Sequence, residues 1–320
     1  MKLFGFTVAL VALSVSCVCA DPPGDDIAVY HVGNSLVRNL SLDRLADLFK
    51  SAGGNYDYGS QLSGGRRLYA HLSYWMEQQG YDVSYISNVD THRHGPRLQS
   101  AKGFISVGHD EYWTREMYDN AIEARDAGVN LAFLSGNTAL MVVPLLPSAE
   151  GQPHRIMRRE GYFVGDAYAK RYPERKLEYP MGQDGALLMG GRHAGLGGGD
   201  FICTRPDHWL YEGTDMKEGD AIAGLVGWEW NGYPARDLPG HEILATSNAV
   251  DGRNRPDSAH AATIYNGPRD NVVFNAASIW YAQGLSSSPG HVLPANRAKP
   301  QGPDPRVQRM TKNVFDRFIG

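Results

Sequence analysis

Between residues 80 and 134 the chain alternates strand and helix patterns in close succession, and this constrains the fold more than any other stretch. Residues 82–86 (DVSYI) and 104–107 (FISV) are short apolar or β-branched runs, and residues 130–134 (NLAFL) are a third. Helical patterns precede and separate them: residues 66–79 close on Gly80, and residues 114–127 close on Gly128. Thr114 stands at the N-cap position of the second helix, with Glu116 and Asp119 placed to complement its dipole. Upstream, residues 27–32 (IAVYHV) read as a strand, and residues 42–50 keep Leu42, Leu45, Ala46, Leu48 and Phe49 on one helical face. Strands joined by helices in this order imply a parallel sheet covered by helices on both faces.

In such a sheet, ligands bind in the crevice beyond the carboxyl ends of the strands. The run GFISVGHDEYW, residues 103–113, delivers His109, Asp110, Glu111, Tyr112 and Trp113 to that place.

The remaining features narrow the partners and the compartment. A formal charge of −4 over 320 residues, with no basic stripe, argues against nucleic acid and against an anionic-membrane patch. At the N-terminus, Lys2 precedes an apolar stretch over residues 3–15 and small residues ending at Ala20, the pattern of an export signal cleaved after Ala20. The stretch is too short for a comfortable membrane span. The expected mature protein is secreted or periplasmic, with no membrane partner after cleavage; a lipid-anchored form through Cys17 stays open. Cys17 and Cys19 leave with the signal, so Cys203 alone remains and an intramolecular disulfide is excluded. Residues 21–320 are expected to form one α/β domain.

The second half changes character. Residues 150–260 are rich in glycine and proline, with short strand candidates at 201–204, 222–226 and 242–246 folded over one edge of the sheet. Residues 271–279 give another strand, residues 284–305 a loop, and residues 306–318 a terminal helix with Val307, Met310, Val314 and Phe318 on one stripe.

Read together, GYDVSYISNVDTH (80–92), GHDEYW, ARDAGVNLAFLSGNT (124–138), RPDHWLYEGT, GLVGWEW, VVFNAAS and VQRMTKNVFDRF resemble, in the same order, the C-terminal domain of the N,N-dimethylformamidase large (beta) subunit and its relatives. The resemblance covers residues 74–318, and residues 21–73 diverge from the family's pattern. It implies a three-layer, mostly parallel sheet of the class I glutamine-amidotransferase-like (flavodoxin-like) kind, with a β- and loop-rich second half. It also implies a mononuclear iron, held by two tyrosinates and a glutamate, that hydrolyses a small amide. Carried over by position, Glu111 is the carboxylate ligand, His109 its polar neighbour, Asn137 a substrate-facing amide and Glu229 the candidate base. Tyr30 and Tyr69 are the phenolates placed to complete the metal site, with Tyr56 and Tyr58 also available.

The chemistry is coherent in its own terms. A hard cation prefers anionic oxygen donors, and a second carboxylate beside it takes a proton from water. Each residue also has a plainer alternative: Glu111 and Asp110 as partners of a helix N-terminus, Asn137 as a turn residue, and Glu229 as a strand residue between packed tryptophans. A second chemistry is open as well. Gly33-Asn34-Ser35-Leu36 after the first strand is similar to the nucleophile block of SGNH esterases, with Asp257-x-x-His260 at the spacing of their late histidine motif. A third possibility is a secreted binding module that retains the fold without catalysis. His92, His94 and His208 read as structural. The expected partner is a small-molecule amide, and a homo-oligomer is compatible with the sequence.

Overall fold

The computed structural model describes residues 7–13, 70–157, 161–162, 183–233, 238–251, 260–287 and 302–320. The strand expected at 27–32, the helix at 42–50, and Tyr30, Ser35, Tyr56, Tyr58 and Tyr69 lie outside the described residues.

One ten-stranded sheet organises the molecule. Its strands are β1 (Thr7–Leu13), β2 (Asp82–Ser87), β3 (Gly103–His109), β4 (Asn130–Gly136), β5 (Arg192–Cys203), β6 (Ala221–Gly232), β7 (Glu242–Thr246), β8 (Val250–Asp251), β9 (Ala262–Asn266) and β10 (Val272–Asn275). The spatial order is β6-β5-β7-β9-β10-β4-β3-β1-β2, with β8 paired to β5. From β2 to β10 neighbouring strands are parallel, in the order 2-1-3-4-5 of a doubly wound sheet. From β10 outward every pair is antiparallel. The expectation of a mostly parallel sheet is therefore corrected to a mixed one. Strands β9 and β10 are joined by residues 267–271 alone, a link short enough only for antiparallel neighbours, whereas parallel pairing needs a long crossover.

Strand β1 is drawn from the apolar run read above as the core of an export signal. It occupies an inner position between β2 and β3. A strand with neighbours on both sides and helices on both faces calls for a continuous apolar run, and that composition also suits a signal.

Among the described residues the α-helices are α1 (Ala70–Gln78), α2 (Asn88–Arg93), α3 (Arg115–Asp126), α4 (Gln183–Met189) and α5 (Pro305–Ile319). Side chains alternate across the strands as the pleat requires. Ile105, Val107, Ala132 and Leu134 face a core with Leu72, Trp75 and Met76 of α1 and Val307, Met310, Val314, Phe315 and Phe318 of α5. Phe104, Leu131 and Phe133 face a second core with Met117, Tyr118, Ala121 and Ala124 of α3 and Leu188 and Met189 of α4. Helices thus cover both faces of the parallel half, as the alternation of patterns implies. The stripe expected on the terminal helix is buried as read, and Asp304 caps it by accepting from Arg306 N.

Two boundaries move for local reasons. The strand expected over 271–279 ends at Asn275, whose Oδ1 accepts from Ala277 N at 2.9 Å while Ala277 takes φ 61°. This side-chain turn removes the backbone from the ladder. The short runs at 201–204 and 222–226 grow into a hairpin of two twelve-residue strands, β5 and β6.

Helix α3 begins as its sequence dictates. Thr114 Oγ1 accepts from Met117 N at 3.0 Å and also meets His92 Nδ1 at 2.9 Å. Thr114→Ala is expected to cost about 1 kcal/mol in urea unfolding, and Thr114→Ser to recover most of it.

Candidate active site

Strands β3 and β4 run parallel in register from Gly103 beside Asn130 to His109 beside Gly136. That register sets the carboxyl ends of the two strands side by side, so that His109 and the next residue of the other chain segment, Asn137, emerge together. Beyond the strands the two segments stay tied. Ala139 N donates to Asp110 O at 3.0 Å and Met141 N to Glu111 O at 3.0 Å. Tyr112 and Trp113 then pair in parallel with Met141 and Val142. Trp113 is fully buried and meets the Phe104 ring edge-on at 6.5 Å.

Glu229 arrives from the far edge of the sheet. A twelve-residue strand spans roughly 40 Å at the usual rise, long enough for the β5–β6 hairpin to return over the strand ends. There Ile279 N donates to Glu229 O at 3.3 Å and Asn231 N to Ala277 O at 3.0 Å. Gly136 makes this approach feasible: a Cβ on it would lie 2.4 Å from Glu229 O and 2.8 Å from Ile279 N.

The four residues singled out in the described part of the sequence meet here. Glu229 Oε2 lies 2.6 Å from His109 Nε2 and accepts from Asn137 Nδ2 at 2.8 Å. Glu111 Oε2 is 3.5 Å from the same imidazole nitrogen, and Asn137 Nδ2 is 3.2 Å from it. Because a carboxylate only accepts, the network assigns the Nε2 proton to His109 and directs the carboxamide nitrogen of Asn137 toward Glu229. Asn137 holds φ 56°, an uncommon conformation, and its backbone N donates to Asn231 Oδ1 at 3.1 Å. Asn231 was not foreseen; its signal was its place two residues beyond Glu229 in a run that folds over the strand ends.

The electrostatics separate the carboxyls. Burial alone would raise the Glu229 carboxyl, but the His109 hydrogen bond and charge, the His193 charge and the Asn137 amide outweigh it and hold Glu229 below the ordinary carboxylate range. Asp110 is fully buried, and burial pushes it up to about 6 against the opposing hydrogen bonds from Ser106 and Asn88 and the charge of His109.

Tyr30 and Tyr69 lie outside the described residues. Among the described residues, no group of three or more His, Cys, Asp or Glu side chains is arranged to hold a metal ion. Glu111 is 7 % exposed at the rim and offers an anionic oxygen of the kind a hard cation prefers, so it fits as one ligand of a wider set.

His92, His94, His208 and His260 lie in structural contacts away from these four residues. His92 bonds Thr114 and stacks edge-on against His154 at 4.8 Å. His94 ends helix α2 through its backbone N–H to Asp90 O. His208 Nδ1 accepts from Leu210 N at 3.1 Å. His260 is fully buried, places Nε2 3.2 Å from Ala276 O, and packs edge-on to Phe201. It serves the core there, and Ser35, the nucleophile of the esterase alternative, lies outside the described residues. A cleft of about 860 Å³ opens at the other end of the sheet, beside Asn130, Trp209, Glu242, Asp316 and Arg317, and none of the four site residues lines it. Two of its carboxylates already hold Arg205 and Lys312.

The arrangement defines an α/β protein with an imidazole, two carboxylates and a carboxamide at the carboxyl edge of its parallel strands. The chain belongs to the family described as N,N-dimethylformamidase beta subunit-like, C-terminal, whose profile matches residues 29–296. No curated protein matches it. Among solved structures, a cytoplasmic protein from Salmonella typhimurium is similar at 12 % identity, covering 78 % of this chain and 86 % of that one, with a TM-score of 0.42. A protein described as thua-like from Bacteroides uniformis is similar at 10 % identity, covering 97 % and 90 %, with a TM-score of 0.41. Likeness at that level carries no argument about this chain.

His260 gives a pH test of this part of the core. Burial pushes its imidazole down to about 4, below the value of an unfolded chain, so the unfolded state binds the proton first as pH falls. The stability it contributes is complete above about pH 6.5 and is lost on acidification toward pH 4, on the order of 3 kcal/mol. Urea unfolding is expected to show a steeper loss between pH 7 and pH 4 in the wild type than in His260→Gln.

Proposed function

We propose that this protein is a hydrolase that cleaves the C–N bond of a small amide at the site formed by His109, Glu111, Asn137 and Glu229. The observation that carries the reading is the convergence of His109 and Asn137 on one oxygen of Glu229, beside Glu111. Family membership supports the same chemistry. In this reading the fold is a class I glutamine-amidotransferase-like variant, supported by the parallel run β3-β4-β10 and by a site at the carboxyl ends of β3 and β4.

Glu229 is the general base. Kept ionised by His109 and Asn137, it takes a proton from the attacking water and returns it to the leaving nitrogen. His109 fixes the carboxylate through Nε2, and Asn137 orients it from the other side. Glu111, with Tyr30 and Tyr69, would hold the mononuclear iron that the family resemblance implies. Such an ion would supply a Lewis acid for the amide carbonyl. Metal analysis of the purified chain beside Glu111→Ala, with formamide as the probe substrate, tests the reading. Stoichiometric iron in the wild type and its loss in Glu111→Ala are expected. Glu229→Gln is expected to retain iron and lose about 10²–10⁴-fold in kcat. A wild type without stoichiometric transition metal would remove iron from the reading, and one that also left formamide intact would favour the binding module.

Export is part of the proposal and has a structural corollary. Cleavage after Ala20 would withdraw Thr7–Leu13 from the sheet, so β1 as described and a processed mature chain exclude one another. N-terminal sequencing of the protein recovered outside the cytoplasm is expected to begin at Asp21. A first residue at Met1 would retain β1 and end the reading of cleavage after Ala20.

A further inference from the structure

Beneath the site lies a chain of buried side chains that no step above uses. Asp110, between His109 and Glu111, turns inward, where its Oδ2 accepts from Ser106 Oγ at 2.9 Å and its Oδ1 from Asn88 Nδ2 at 3.4 Å. Ser106 Oγ and Ser135 Oγ are 3.2 Å apart, and Ser135 Oγ and Thr138 Oγ1 are 2.6 Å apart. Ser106 shares its one hydroxyl proton between Asp110, the nearer acceptor, and Ser135, and either Ser135 or Thr138 donates in the last link. The three hydroxyls thus join the segment after β4 to the carboxyl. Asp110, Ser106 and Ser135 have no exposed surface, and Thr138 is 3 % exposed.

The placement of this chain matters more than its strength. Its members alternate along the sequence with the site residues: Asp110 separates His109 from Glu111, and Thr138 follows Asn137. The backbone carbonyl of Asp110 also accepts from Ala139 N at 3.0 Å. One residue therefore ties the His109–Glu111 loop to the Asn137 loop twice, once through the main chain and once through the hydroxyls. Apolar residues of similar volume would fill the space with a smaller desolvation cost, but they would leave the two loops without a directional link.

We infer that Asp110 is a positioning residue, holding His109 and Glu111 in register with Asn137 through Ser106, Ser135 and Thr138. Its effect on catalysis rests on the function proposed above; its effect on geometry does not. The test compares Asp110→Ala and Asp110→Asn, the second keeping the shape and an acceptor for Ser106. The readouts are the side-chain ¹⁵N resonances of His109 and Asn137 and formamide kinetics, in the full chain. In Asp110→Ala the His109 Nε2 and Asn137 Nδ2 resonances are expected to shift. In the same variant kcat is expected to fall about a hundredfold with KM nearly unchanged, as for misplaced catalytic groups. Asp110→Asn is expected to restore both. Folded Asp110→Ala with the wild-type resonances of both residues would overturn the inference. Should that variant fail to fold, Ser135→Ala cuts the same chain from the β4 side, and unchanged resonances there overturn it equally. Shifted resonances in a protein whose wild type neither binds iron nor cleaves formamide would sink the proposed function and leave the positioning role standing.

Discussion

The parallel pairing of β3 with β4 is the constraint on which the site depends. Seven residue pairs in register bring His109 level with Gly136, and the groups that follow each strand have nowhere to go but side by side. Their backbones then continue to bond each other past the sheet, from Asp110 and Ala139 to Trp113 and Val143. A buried ladder of this kind resists slippage, because a shift by one residue would exchange the faces of Phe104 and Ile105 and disrupt both cores. The chemistry inherits its precision from that packing.

Against this fixed floor the polar groups are densely shared. His109 and Asn137 both address Oε2 of Glu229, and the backbone of Asn137 is held in turn by Asn231. Buried carboxylates are costly unless they are bonded, and Glu229 and Asp110 meet that cost differently. Glu229 is stabilised as an anion by its neighbours, while Asp110 is pushed upward by burial. Two carboxyl groups at one strand end thus sit in opposite environments.

Much of the parallel half was legible in the sequence because each signal there is local. Thr114 caps α3, Gly128 with φ 103° follows it, and Gly80 with φ 77° follows α1, each where its type predicts. The motif GHDEYW was legible as a strand end for the same reason. The antiparallel half was less so. The run Gly195–Gly199 inside β5 lacks the side chains that mark a strand, yet the hairpin with β6 carries it through, and strand length there is decided by pairing. That Glu229 reaches His109 could be read from family resemblance but not from spacing, since 120 residues and a long return path separate them. Strand β1 was hidden differently, behind a composition that serves a sheet interior and an export signal alike.

The β5–β6 hairpin turns one further matter into a question of arithmetic. Glu229 points at His109 because its side chain falls on that side of the pleat, opposite Leu196 across the hairpin, and neighbours along a strand point to opposite faces. The hairpin already contains two register shifts, on either side of its glycine run. Gaining or losing a single such bulge would leave the fold recognisable and aim the carboxylate away from the imidazole. Among relatives, the parity of that hairpin would then sort chains able to present this carboxylate from those that keep only the architecture.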